Sequence, residues 1–145
     1  PSKLRDKLEG KKGIHSAMIP YSPSGGYGQK DKEMGRSMDI RFSDEALAKQ
    51  THPIIREHPE TGRKGIFGTF GYTIGIEDME DQDAMQLLIE LSNWQSQEQF
   101  QYRHKWKKNM LVMWDNRSVL HKATGGYHGH ERLLHRTTIA AYQAK

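Results

Sequence analysis

Three residues near the C-terminal end, His121, Arg132 and Arg136, have types and spacing suited to holding anions beside an imidazole. Arg132 and Arg136 are four apart in a stretch, 133–141 with its approach, that reads as a strand. That even spacing puts both guanidinium groups on one sheet face, about 13 Å apart. Leu134 shares their face, while Leu133, His135 and Thr137 point the other way. Two guanidinium groups on one partly enclosed face are costly unless anions pair with them. Carboxylate and sulfonate oxygens match that need through paired, charge-assisted hydrogen bonds. His121 ends a short apolar run after the polar turn Asp115-Asn116-Arg117, which reads as aiming the histidine rather than touching substrate. Taken singly, each has a plainer reading, a structural histidine and two solvated strand cations. His128 and His130 have a metal-like His-x-His spacing, but their glycine-rich surroundings, TGGYHGHE, read as a solvated loop.

These residues need elements to position them. Residues 2–9 read as a short helix, with Ser2 as its cap, Leu4 and Leu8 on one face, and Gly10 and Gly13 as its stop. The run PYSPSGGYG, 20–28, opens a polar stretch to about Gln50 that reads as a long loop with the character of a mobile lid. Residues 53–57 and 64–69 read as short strands around the turn Pro59-Glu60-Thr61-Gly62. The clearest helix is 80–94, where Ala84, Leu87, Leu88 and Leu91 fall on one face and Glu80, Asp81 and Asp83 suit the positive end. Beyond it, Phe100, Tyr102, His104 and Trp106 alternate with Gln101, Arg103 and Lys105 as in a strand with one aromatic face. A turn at 107–109, a strand at 110–114, the turn at 115–117 and the strand at 133–141 complete the pattern. Several short strands with one strong helix predict a mainly β chain with helices, a β-sandwich or jelly roll.

Composition narrows the function classes. The 145 residues predict a single domain, with helix and long loop over 1–52 and the strand-bearing part over 53–145. Three Trp, six Tyr and four Phe argue against wholesale disorder, despite a mean hydropathy of -0.88. No apolar run approaches a membrane span, and the first residues have no apolar core of a signal peptide. With no cysteine there is no disulfide frame, thiolate site or Cys nucleophile, and a cytoplasmic setting is the default expectation. The chain starts at Pro1 without an initiator Met, as a processed or excerpted chain would. Its net charge of +4 suits small anions as well as nucleic acid. The basic, aromatic stretch 103–108 could pass for a nucleic-acid surface, but strand alternation explains it better, so nucleic acid is not an expected partner.

A more specific signal lies in combined motifs. WDNRSVLH, followed by Arg eleven and fifteen residues after its His, resembles the C-terminal motif of the taurine dioxygenase family, which includes 2,4-dichlorophenoxyacetate dioxygenases. THPIIREHPETGRKGIF and FQYRHKWKKNMLVMWDNR are similar to two further segments of that family, and the resemblance covers about 53–140, more weakly the N-terminal helix. It implies a partial double-stranded β-helix, or jelly roll, lacking its N-terminal strands. It implies an iron(II)- and 2-oxoglutarate-dependent oxygenase, in which O2 and 2-oxoglutarate become CO2 and succinate while a substrate C–H bond is hydroxylated. By position, His121 matches the distal iron ligand and Arg132 the arginine that pairs with 2-oxoglutarate. Arg136 matches the arginine that holds a sulfonate in taurine-using members, and Tyr72, in GTFGYTIGI, an aromatic residue placed against the substrate. A small anionic substrate is implied, with a sulfonate such as taurine as the first guess.

The family's iron triad needs two histidines and a carboxylate. Its first two ligands come from a His-x-Asp or His-x-Glu motif. Only His58 with Glu60 has that spacing here, within the Pro-Glu-Thr-Gly turn of a segment the family uses otherwise. This pair is not taken as ligands, which leaves His121 as one ligand of three. The chain could therefore be a catalytically incomplete fragment, a non-catalytic anion-binding or interaction module, or one part of a homo-oligomer or of a complex with a complementing chain. Open sheet edges would favour association.

Overall fold

The computed structural model describes residues 1–22, 43–126 and 129–140. Helix α1, Ser2–Leu8, is followed by strand β1, Lys12–Ser16, and the single turn α2, Met18–Tyr21. A 3-10 turn, Asp44–Leu47, leads to β2, Lys49–Pro53, and then to β3, Ile55–Glu57, and β4, Lys64–Ile66. Strand β5, Thr73–Ile76, precedes the long helix α3, Asp81–Gln95, and a 3-10 turn, Glu98–Phe100. The strands form an antiparallel sheet of order β2-β1-β5 and a separate β3-β4 hairpin. Together they are a partial jelly roll, mainly β with helices, as expected.

Amphipathic spacing explains the core. Leu4 and Leu8 of α1, Ile76 of β5, and Ala84, Leu87, Leu88 and Leu91 of α3 are buried together around Ile54, the residue between β2 and β3. Each buried Leu or Ile side chain contributes about 1.5–3 kcal/mol relative to exposure. Exposed ion pairs from Lys7 to Glu90 and from Lys64 to Glu9 join the same elements. Such pairs contribute far less than the apolar contacts. The backbone closes around Ile54: its amide donates to Lys11 O at 2.9 Å, and its carbonyl accepts from Phe67 N at 2.7 Å.

Several expectations are corrected within this half. Ser2 lies inside α1 and Pro1 takes the cap position. Gly10, at φ +73°, ends the helix, but Gly13 belongs to β1. Segment 1–52 is more than a helix and loop, because β1 is the central strand of the sheet and β2 begins at Lys49. Neither strand alternates clearly in polarity: KGIHS and KQTHP earn their places through mutual pairing, Lys12 opposite Pro53 and Ser16 opposite Lys49. The lid expectation falls mostly on 23–42, outside the described residues.

The larger correction concerns the end of the chain. The turns at 107–109 and 115–117 form, with Met110 N donating to Lys107 O and Ser118 N to Asp115 O. The strands expected at 100–106, 110–114 and 133–141 do not form among the described residues. Turns close local hydrogen bonds, whereas a strand needs a second backbone beside it. Alternating polarity specifies two faces but supplies no partner. Leu111 is 89 % exposed and Leu133 81 %, while of the expected aromatic face Phe100 packs edge to face on Trp94 of α3, with centroids 5.3 Å apart.

Candidate active site

Tyr72 is the expected site residue that the packed half positions. It lies in the turn before β5, its amide donating to Thr69 O and its carbonyl accepting from Ser16 N of β1, both at 2.9 Å. Its ring sits 6.3 Å from that of Tyr21 in α2, and its hydroxyl donates to the Tyr21 hydroxyl at 3.4 Å. At 38 % exposure the ring is open to solvent as well as packed.

His121, Arg132 and Arg136 all lie in the irregular C-terminal segment and are exposed. Without a strand at 133–141, the shared sheet face expected for Arg132 and Arg136 is not set by secondary structure. The His121 ring rests against Trp114, with centroids 5.0 Å apart. Among the described contacts none joins His121 to Tyr72. The shallow hollow lined by Ile54, Phe67, Phe70, Thr73, Leu88 and Leu91 contains none of the four residues. Among the described residues, no three His, Asp or Glu side chains are grouped to hold a metal ion. The donor set present here does not by itself fit an iron centre, which takes three convergent ligands.

The structure adds a network that the two motifs gave no sign of sharing. His58, in the β3-β4 turn, accepts at Nδ1 from the amides of Glu60 at 3.2 Å and Thr61 at 3.3 Å. With Nδ1 accepting, the ring proton belongs on Nε2, which donates to Asp115 Oδ2 at 2.9 Å. Both ring nitrogens are thereby engaged within this network. Arg117 grips the same carboxylate, Nε to Oδ1 at 2.9 Å and Nη2 to Oδ2 at 2.7 Å, and reaches Glu60 through Nη1 at 3.0 Å. Arg117, then His58, holds the Asp115 carboxyl well below the usual carboxylate range, and Asp115 in turn raises Arg117. Each half of this network was visible, as HPETG and as WDNR. Their meeting across 57 positions was not.

A second cluster escaped notice because its elements did. His15 of β1 and His52 of β2 meet edge to face at 5.3 Å, and Phe67 lies 5.5 Å from the first ring and 5.3 Å from the second. His15 Nε2 is buried without a hydrogen-bond partner among the described residues. Burial, then the nearby His52, lowers the His15 pKa.

Comparison with known proteins agrees with the motif reading. The pattern of the taurine catabolism dioxygenase TauD, TfdA family matches residues 1–138. The alpha-ketoglutarate-dependent 2,4-dichlorophenoxyacetate dioxygenase of Cupriavidus pinatubonensis is 31 % identical over 125 residues, 84 % of this chain and 39 % of that protein. A Schizosaccharomyces pombe protein assigned as an alpha-ketoglutarate-dependent sulfonate dioxygenase is 31 % identical over 122 residues, 83 % of this chain and 28 % of its own length. Among solved structures, a Burkholderia xenovorans protein assigned as an alpha-ketoglutarate-dependent 2,4-D dioxygenase superposes with a TM-score of 0.61 at 30 % identity, covering 81 % of this chain and 42 % of that one. The chain thus spans about two-fifths of the length of the first of these relatives. With a pattern matched over nearly its whole length and a fold shared with a solved relative, the chain belongs to the taurine catabolism dioxygenase TauD, TfdA family.

Proposed function

We propose that this chain contributes the distal part of an Fe(II)- and 2-oxoglutarate-dependent dioxygenase centre acting on a small anionic organic substrate. The observation that carries the reading is the register His121, Arg132, Arg136 within a chain of this family. In this reading His121 supplies one iron ligand and Arg132 pairs with a carboxylate of 2-oxoglutarate. Arg136 and Tyr72 face the substrate's anionic end and its body. The relatives' names include a phenoxyacetate and a sulfonate, both anions. That supports an anionic substrate, and a sulfonate remains the first candidate. In this reading a complete site draws ligands from outside the described residues, among which no three His, Asp or Glu side chains are grouped.

The reading can be tested by fusing to this chain the part of the Cupriavidus pinatubonensis dioxygenase that the alignment leaves uncovered. Anaerobic Fe(II) titration with 2-oxoglutarate, followed by succinate assay in air, is then run on the fusion and on its His121→Ala form. Oxoglutarate-dependent iron binding and succinate formation are expected, with a loss of at least about 100-fold in the variant, since even residues behind a metal ligand can cost that much. Equal iron binding with and without the imidazole would overturn the assignment of His121.

A further inference from the structure

The closed circuit of His58, Asp115, Arg117 and Glu60 ties the β3-β4 turn to the turn at 115–118, and that second turn is where the chain is aimed towards His121. The Asp115 carbonyl accepts from Ser118 N at 3.0 Å and Val119 N at 3.1 Å, so the turn runs to within two residues of His121. On its other side, Trp114 donates from Nε1 to Asn116 Oδ1 at 2.8 Å and lays its ring beside that of His121. Both the chain direction into His121 and the ring beside it therefore depend on the backbone at 114–118. The Arg117 amide, bonded to Asp115 Oδ1 at 2.8 Å, makes the Asp115 carboxylate the centre of that turn.

The His58 side chain is only 12 % exposed, and its Nε2–H reaches this carboxylate from a different element. In an exposed segment without strand pairing, ordering each residue costs about 1–2 kcal/mol of backbone entropy. A charge-assisted hydrogen bond from a packed hairpin offsets part of that cost where a sheet would otherwise do so. We propose that His58 is a positioning residue for His121, acting through Asp115 to set the 114–118 turn and the Trp114 ring that packs on the histidine. Its consequence for catalysis rests on the reading of His121 as an iron ligand; the structural coupling does not.

The competing role for His58 is local, capping the hairpin through Nδ1 alone. Two substitutions separate the roles. In His58→Asn the side-chain oxygen falls near Nδ1 and can still receive the Glu60 and Thr61 amides, but nothing reaches Asp115. In His58→Gln the amide nitrogen falls near Nε2 and can still donate to Asp115. The readout is NMR of the His121 ring protons, displaced by the Trp114 ring current, with the Trp114 indole N–H as a second probe and the α3 amides as a check on folding. The displacement is expected to persist in His58→Gln and collapse towards the free-imidazole value in His58→Asn. Persistence in His58→Asn, whatever the Gln form does, would overturn the proposal. Should both variants lose the displacement, the Glu60 and Thr61 amide signals of His58→Asn decide: unchanged, they place the loss at the Asp115 contact and support the coupling; shifted, they assign it to the hairpin and refute it. None of these spectra needs iron, so failure of the iron titration and failure of this coupling are read separately.

Discussion

Residues 1–22 and 43–100 differ from residues 101–140 in what holds them. The first set buries all eight members of the core cluster and contains all five described strands. The second holds His121, Arg132 and Arg136, exposes Leu111 and Leu133 almost fully, and has turns but no described strand. Scaffold and candidate chemistry are thus largely separated along the chain. A motif can record which residues bind an anion or a metal, but convergence is a property of packed backbone. Here packing stops before the motif starts, and the His58–Asp115 network is a described polar link between the two.

That contrast can be broken or sharpened by measurement. In the packed half, Leu88→Ala removes a side chain from the centre of the cluster and should cost about 2–5 kcal/mol in denaturant unfolding. A cost under the bottom of that range would mean the cluster is looser than its burial indicates. Gly68→Ala should follow, at about 1–3 kcal/mol, because Gly68 sits at φ +120° and an added Cβ would lie 2.6 Å from Thr73 Oγ1 and 2.8 Å from His15 Cε1. Thermal melts that leave Gly68→Ala unchanged would show that this junction gives way freely.

The His15 cluster adds a pH dependence to the packed half alone. The folded state lowers the His15 pKa below its ordinary value of 6.5, so the unfolded chain takes up the proton first. Stability should be fully present above that value. It should fall as the pH drops through 6.5 towards the lower folded pKa, and His15→Phe should flatten that part of the profile. An unchanged profile in the variant would assign the dependence elsewhere. At the other end of the scale, Leu111→Ala should shift stability by no more than about 0.5 kcal/mol, the range of ordinary surface positions. A larger loss in the same unfolding experiment would show that 101–140 is packed in solution and would dissolve the contrast.

The legible parts of the fold were those written in local chemistry. The stripe Ala84, Leu87, Leu88, Leu91 marked α3 to within a residue at each end, and Pro59-Glu60-Thr61-Gly62 marked the hairpin turn. Asp115-Asn116-Arg117 marked a turn that forms as read. Strands β1 and β2 were missed because KGIHS and KQTHP have little alternation and owe their conformation to each other. The strand at 100–106 was expected from alternation and that at 110–114 from an apolar run, but among the described residues neither these nor 133–141 has a backbone paired beside it.

For the candidate site the division is similar. The amino-acid sequence by itself determined the family and the register of His121, Arg132 and Arg136, because these depend on residue identity and separation alone. Only the tertiary structure decided that Tyr72 packs against Tyr21, that His58 spends both ring nitrogens within a hydrogen-bonded network, and that His121 rests on Trp114. Those are meetings between residues that neither helical nor strand periodicity brings together, and they exist because folding closes loops that the linear order leaves open.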